Sequence, residues 1–233
     1  MDKLVHLTTD ENYAIIKIAN GKVNAISHEV IDELNECLDT AEKEERVVII
    51  TGQSGIFSGG FDLKVMTKSQ DAAKELVIKG SKLSYRLLSF PTPVILACNG
   101  HAVAKGAFLL LSADYRIGTA GEFKIGLNEV MIGMTMHNAG VEIARGKLTP
   151  VYFQRSVSNA EMYNPEEAVT AGFLDIVVPE GSLIGTAIKV AGLFGKLNKN
   201  AHKNTKLKVR KILLERLAEA IKEDSEQELS FNS

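Results

Sequence analysis

Apolar positions change their spacing several times along this chain, and each change marks an element. In residues 28–43, Val30, Ile31, Leu34, Cys37, Leu38 and Ala41 recur at helical intervals, with Ser27 placed to cap the helix. Val47-Val48-Ile49-Ile50 follows as an unbroken β-branched run, the pattern of a buried strand, and stops at Thr51-Gly52. Residues 71–89 return to the helical period through Leu76, Leu83, Leu87 and Leu88, and Pro91 and Pro93 end that helix. Residues 94–98 are the next apolar strand. The pattern then predicts a helix over 106–112 that is apolar on most sides, a short strand over 114–118 and an extended piece over 123–127. A helix over 135–147 ends before Pro150, a short helix over 165–171 stops at Gly172, and a strand over 175–178 stops at Pro179. Upstream, residues 4–8 and 13–18 read as a hairpin across Asp10-Glu11-Asn12. Asn20-Gly21-Lys22 is a second turn, followed by a short extended piece over 23–26.

Repeated strand–helix–strand order argues for an α/β domain with parallel pairings. We place a core over residues 1–180 and a mainly helical region over 181–233. Within 206–229, Lys206, Lys208, Arg210 and Lys211 precede Glu219, Glu223, Asp224, Glu226 and Glu228. On one helix that order opposes the macrodipole.

Composition narrows the class. The 233 residues are 45% hydrophobic and 24% charged with net charge −2, ordinary for a globular protein with ample core. That balance does not favour nucleic acid or an anionic membrane as partner. The two cysteines, Cys37 and Cys98, have no metal or disulfide spacing and read as reduced core residues. The first residues lack the apolar stretch of a signal peptide, and no apolar run approaches the roughly 20 residues of a membrane span. A soluble cytoplasmic protein is expected.

Candidate chemistry gathers in two places. The strands over 47–50 and 94–98 each end in a glycine-containing turn. If those strands are adjacent and parallel, the two turns can aim two backbone N–H groups at one oxygen, an oxyanion hole without side chains. Gln53 to Gly60 is neither a Walker motif nor GxGxxG. No GxSxG, HExxH or calcium loop is present, so no metal is implied. His101 and His137 read as structural or solvent-facing. Glu129 is an isolated carboxylate among Leu127, Val130, Met131 and Ile132. Desolvation there would raise its pKa toward neutrality and suit it to shuttling protons; a capping or surface role is the other reading.

Six segments then appear in order: Val47-Val48-Ile49-Ile50-Thr51-Gly52, Phe57-Ser58-Gly59-Gly60-Phe61-Asp62-Leu63, Pro91-Thr92-Pro93-Val94-Ile95, Asn99-Gly100-His101-Ala102, Ser112-Ala113-Asp114-Tyr115-Arg116 and Leu127-Asn128-Glu129-Val130 with Ile132-Gly133. With them the chain resembles the crotonase superfamily, the enoyl-CoA hydratase/isomerase fold, over about residues 4–190. The resemblance implies a spiral of ββα units with a C-terminal helical trimerisation region, and a homotrimer or dimer of trimers. It implies acyl-CoA substrates, with coenzyme A part of the substrate and no separate cofactor, and an enolate held by two backbone N–H groups. Carried over by motif, those donors are Gly59 and Lys105, where members usually have glycine in place of Lys105; the lysine side chain would add bulk and charge to the pocket. Lys22, Val23, Ala25, Asp62, Leu63 and Lys64 match the segments lining the CoA groove, and CoA phosphates are candidates to face the basic residues from 206 on.

Of the two glutamates that hydratases use, one matches Glu129 and the other falls at Phe108. A single carboxylate suits a 1,3-proton shift better than water addition, and Phe108 would dry the pocket. Isomerase-type proton transfer is the favoured reading. Hydratase and thioester hydrolase are the alternatives within the fold, and a catalytically inactive CoA-binding or scaffolding homologue is the alternative outside enzymes.

Overall fold

The computed structural model describes residues 3–226. The chain opens with β1 (Val5–Thr9), β2 (Tyr13–Ile18) and α1 (His28–Lys43). Next come β3 (Val47–Thr51), β4 (Gly55–Ser58), α2 (Leu63–Met66), α3 (Gln70–Ser89) and β5 (Val94–Cys98). They are followed by β6 (Gly100–Val103), α4 (Lys105–Leu111), β7 (Tyr115–Thr119) and β8 (Ile125–Gly126). After these lie α5 (Asn138–Arg145), α6 (Pro150–Val157), β9 (Met162–Tyr163), α7 (Pro165–Ala171) and β10 (Ile176–Val178). Three helices close the described chain: α8 (Leu183–Phe194), α9 (Lys199–Val209) and α10 (Lys211–Glu226).

The strands form two sheets. Six are ordered β1-β2-β3-β5-β7-β10, with β1 and β2 an antiparallel hairpin and the remaining pairings parallel. Residues of β3 and β5 alternate between two apolar layers. Val48, Ile50, Val94, Leu96 and Cys98 enter the main core; Ile49, Ile95 and Ala97 pack with Leu183, Ala187 and Ala191 of α8. Both faces are covered, which is why these strands read as unbroken apolar runs. Ser27 caps α1 through the N–H of Val30, as its position predicts. Cys37 and Cys98 are free and buried. Among the described residues no helix is long and apolar enough to cross a membrane.

The second sheet, β4-β6-β8-β9, departs from the sequence reading, which treats residues 53–60 and the turn after β5 as loops. Its first strands are short and contain glycine, so they carry no alternating signal. Their pairing explains the composition. A Cβ on Gly100 would stand 2.0 Å from the Gly55 carbonyl carbon, so the two backbones meet where no side chain fits. Asn99 joins the turns of both sheets: its Oδ1 accepts from the Gly52 N–H at 3.1 Å and its Nδ2 donates to Gln53 O. The helix expected over 135–147 is shorter, and α2, α6 and β9 lack a periodic signal long enough to read.

The single helix expected over 206–229 is two helices broken at Arg210, the C-cap of α9, and residues beyond 226, including Glu228, lie outside the described part. Lys206 and Lys208 therefore occupy the last turn of α9, where cations suit the dipole. Lys206 and Arg210 have an internal anion. Lys206 Nζ lies 2.6 Å from Asp114 Oδ2, and Arg210 Nη2 lies 2.9 Å from Asp114 Oδ1. Burial still pushes Lys206 down to about 8, outweighing the pull of Asp114. At the far end of α10, buried Asp224 accepts from the N–H groups of Asn138 and Ala139 at 2.8 and 2.9 Å and caps α5.

Candidate active site

The second sheet collects the candidate residues. β4 pairs with β6 and β6 with β8, all parallel, with Ser58 opposite Ala102 and Val103 opposite Gly126. Three segments therefore leave the same carboxyl edge side by side: Gly59-Gly60-Phe61 after β4, Ala104-Lys105 after β6, and Leu127-Asn128-Glu129 after β8. Ala104 extends the pairing by donating to Gly126 O at 3.0 Å. It adopts φ 51°, an uncommon value for a residue with a side chain, and turns the strand directly into α4. Gly60, at φ +107°, presses the first segment onto the second. A Cβ there would lie 3.0 Å from Ala104 Cβ and 3.6 Å from Lys105 N.

One of the two expected donors is already spent. The Gly59 N–H donates to Val23 O at 2.8 Å, holding the 22–26 turn, so it is not free to receive an incoming oxygen. Two residues on, the Phe61 N–H has no acceptor among the described residues; nor does Lys105 N–H, at the first position of α4. The pair of unspent donors is thus Phe61 and Lys105. Sequence reasoning missed Phe61 because a backbone donor leaves no side-chain signature.

Glu129 is only 6% exposed, and among the described residues its Oε2 is a buried carboxylate oxygen with no hydrogen-bond partner. Burial pushes its pKa up to about 7. The expected cause needs revision: Val130, Met131 and Ile132 form a 3-10 turn whose side chains are exposed, while Leu127 is buried. Desolvation comes from the fold around the carboxylate rather than from the three residues that follow it. Phe108 is buried in α4, its ring edge-on to His137 at 5.5 Å, and a Cβ on Gly140 would stand 2.9 Å from its Cζ. It seals α4 against the start of α5. Burial, reinforced by Lys105, pushes His137 down to about 4 against the opposing pull of Asp224, so the imidazole is neutral near pH 7.

The expected groove residues also converge. Ile26 N donates to Gly60 O at 2.8 Å and Asp62 N to Ile26 O at 3.0 Å, which lays Lys22, Val23 and Ala25 alongside Asp62, Leu63 and Lys64. Asp62 caps α2 through the N–H of Lys64 at 2.9 Å. Val23 and Leu63 are 55% and 67% exposed, and Lys22 and Lys64 are exposed too, so apolar and cationic groups border the three-segment edge. Asn24, not foreseen, anchors the turn: its buried Nδ2 donates to Phe57 O at 2.7 Å and Ile18 O at 3.2 Å. Lys105 does not add its charge to the pocket as its residue type suggested; its Nζ is bonded to α3. The residue is 2% exposed. Among the described residues no group of three or more His, Cys, Asp or Glu could hold a metal ion.

Comparison with known proteins identifies the family and the fold. The family model described as enoyl-CoA hydratase/isomerase matches residues 8–233. A probable enoyl-CoA hydratase of Bacillus subtilis is 30% identical over 197 residues, 82% of this chain and 76% of its own. Human mitochondrial enoyl-CoA delta isomerase 1 is 28% identical over 235 residues, 99% of this chain and 78% of its own. The crystal structure of an enoyl-CoA hydratase/isomerase family protein from Pseudomonas syringae, 60% identical, superposes with a TM-score of 0.96 over 97% of this chain and 98% of that one. With its motifs, its two-sheet fold and these matches in accord, the chain belongs to the enoyl-CoA hydratase/isomerase family, within the crotonase superfamily.

Proposed function

We propose that this protein isomerises enoyl-CoA thioesters by proton transfer through Glu129. One observation carries the reading: at the carboxyl edge of the second sheet a buried carboxylate, with one oxygen unpartnered and a pKa raised to about 7, stands in the segment after β8, the strand next to the one leading into Lys105. Its acidity suits it to take and return a proton near neutral pH. Glu129 removes a proton from C2 of a 3-enoyl-CoA, and the electron pair moves onto the thioester oxygen. The N–H groups of Phe61 and Lys105 hold that enolate oxygen. The double bond then shifts, and the same carboxyl returns the proton at C4, giving the 2-enoyl-CoA. Coenzyme A belongs to the substrate, and the scheme calls for no resident cofactor. Lys22, Val23, Ala25, Asp62, Leu63 and Lys64 provide the border on which it would lie. Water addition calls for a second group to manage water, and Phe108, packed against His137 and Gly140, offers none.

The test is to supply 3-enoyl-CoA and 2-enoyl-CoA separately and follow the conjugated thioester absorbance. Isomerisation raises absorbance with the first and leaves the second intact. Loss of absorbance with the second would replace the reading by hydratase, free thiol release by hydrolase, and CoA binding without turnover by a non-catalytic homologue.

The donor geometry makes its own prediction. A Cβ on Gly106 would stand 2.4 Å from Ser58 O and 2.9 Å from Ser58 Cβ, so the first turn of α4 sits directly on the end of β4. Gly106→Ala must move one donor segment from the other. A shift near 1 Å is expected to lower kcat about 100-fold, read by steady-state kinetics on protein whose circular dichroism shows it folded.

A further inference from the structure

The Lys105 side chain has a destination that the scheme above leaves unused. From the first turn of α4 its Nζ reaches α3, donating to Gly80 O at 2.6 Å and to the buried Ser84 Oγ at 2.7 Å. Phe61 comes to the same place. A Cβ on Gly80 would stand 2.5 Å from Cε1 and Cζ of the Phe61 ring and 3.2 Å from Lys105 Cε, and Nζ lies 5.9 Å from the ring centroid. Gly80 is thus a floor on which both side chains rest. The two residues presenting unspent N–H groups at the carboxyl edge meet again, through their side chains, on one residue of α3. Both acceptors of the ammonium are neutral, and burial lowers its pKa to about 7. An apolar side chain of similar length would fill this space without burying an amine. What the lysine adds is two short, directional bonds that fix where the stem lies.

We propose that Lys105 is a positioning residue: its side chain clamps the Phe61 ring against α3 and so sets the spacing between the Phe61 N–H and its own N–H. The inference rests on the assignment of these two N–H groups to the thioester oxygen. Phe61 needs such a clamp because it follows Gly59-Gly60, in a connection whose hydrogen bonds, Gly59 N to Val23 O, Gly60 N to Ser58 Oγ, Ile26 N to Gly60 O and Asp62 N to Ile26 O, all fall on its neighbours. Electrostatic stabilisation of an enolate depends on donors held in place before charge develops.

Lys105→Met keeps the length and the apolar stem but removes both bonds to α3, while Ser84→Ala removes one acceptor. The measurements are kcat and KM for 3-enoyl-CoA, the thermal midpoint, and the near-ultraviolet enolate absorbance of bound acetoacetyl-CoA. Lys105→Met is expected to lower kcat about 10- to 100-fold with KM changed less than about 2-fold, and to lower the bound enolate fraction in parallel. Ser84→Ala is expected to shift both the same way by about 3-fold. Wild-type kcat and enolate fraction in both variants, with only the thermal midpoint lowered, would overturn the clamp. Should Lys105→Met not fold, Ser84→Ala decides alone. Wild-type protein that enolises acetoacetyl-CoA without turning over 3-enoyl-CoA would refute the isomerase reading and leave the enolate signal to judge the clamp. No enolisation by the wild type would refute both.

Discussion

Glu129→Gln is expected to lower the isomerisation rate about 1000-fold, within the range general acid–base catalysis contributes, and to make the protein more stable at pH 8. The two effects share one cause. Burial raises the folded-state pKa of Glu129 from an ordinary 4.5 to about 7. The folded protein therefore holds a proton that the unfolded chain releases, and stability falls as pH rises from 4.5 toward 7. Above that window the buried charge costs about 3 kcal/mol, from the size of the shift. A glutamine is neutral at every pH, so its advantage should be present at pH 8 and vanish below pH 4.5, where the wild-type carboxyl is protonated in both states. Denaturant unfolding at the two pH values checks this. Wild-type kcat/KM should fall with acid below about pH 7, since only the ionised carboxylate takes a proton. Full activity in Glu129→Gln would end the proposed mechanism.

Asp114→Ala should be among the most damaging single changes to stability in this chain. Asp114 accepts from Val94 N at 2.7 Å at the start of β5 and receives Lys206 and Arg210 from the C-terminal helices. Arg210 also donates to Leu88 O and Ala113 O, and Lys206 to Thr92 O, so both cations are committed to positions inside the structure. Removing the carboxylate leaves two buried cations with no counter-ion. Breaking a buried pair typically costs 3–5 kcal/mol, and about 4 kcal/mol is expected here from denaturant midpoints at constant slope. Because the group is buried, the loss should persist in high salt. A loss under about 1 kcal/mol would mean that water reaches and compensates the cations.

How much of this could be read beforehand depended on what carries each feature. Val47 to Ile50 and the run over 94–98 announce themselves, because covering both faces of a strand leaves an unbroken apolar signature. Ser27 and Glu129 are legible because a cap and a lone carboxylate are side-chain statements. β4 and β6 are not: their glycines answer to a backbone contact with another strand, information that exists only once both are placed. Phe61 is not legible in place of Gly59 for a related reason, since which N–H remains free depends on where Val23 O falls. The break at Arg210 was hidden because the helical character of the sequence continues across it, while the interruption coincides with the turn toward Asp114. Lys105 looked like a charge added to a pocket because its residue type is visible and its partners Gly80 and Ser84 are not.

The cap that Asp224 places on α5 bears on how the protein comes into being. It joins residues 86 positions apart, with Asp224 close to the end of the described chain. On the ribosome, β4, β6, β8 and Glu129 emerge well before α10 does, and domains tend to gain structure as they are made. The helix start beside Phe108 and His137 thus has two N–H groups awaiting their carboxylate until α10 has been made. The wall of the site becomes complete only when the last described helix docks, so the nascent chain carries its parts before it carries an enclosed site.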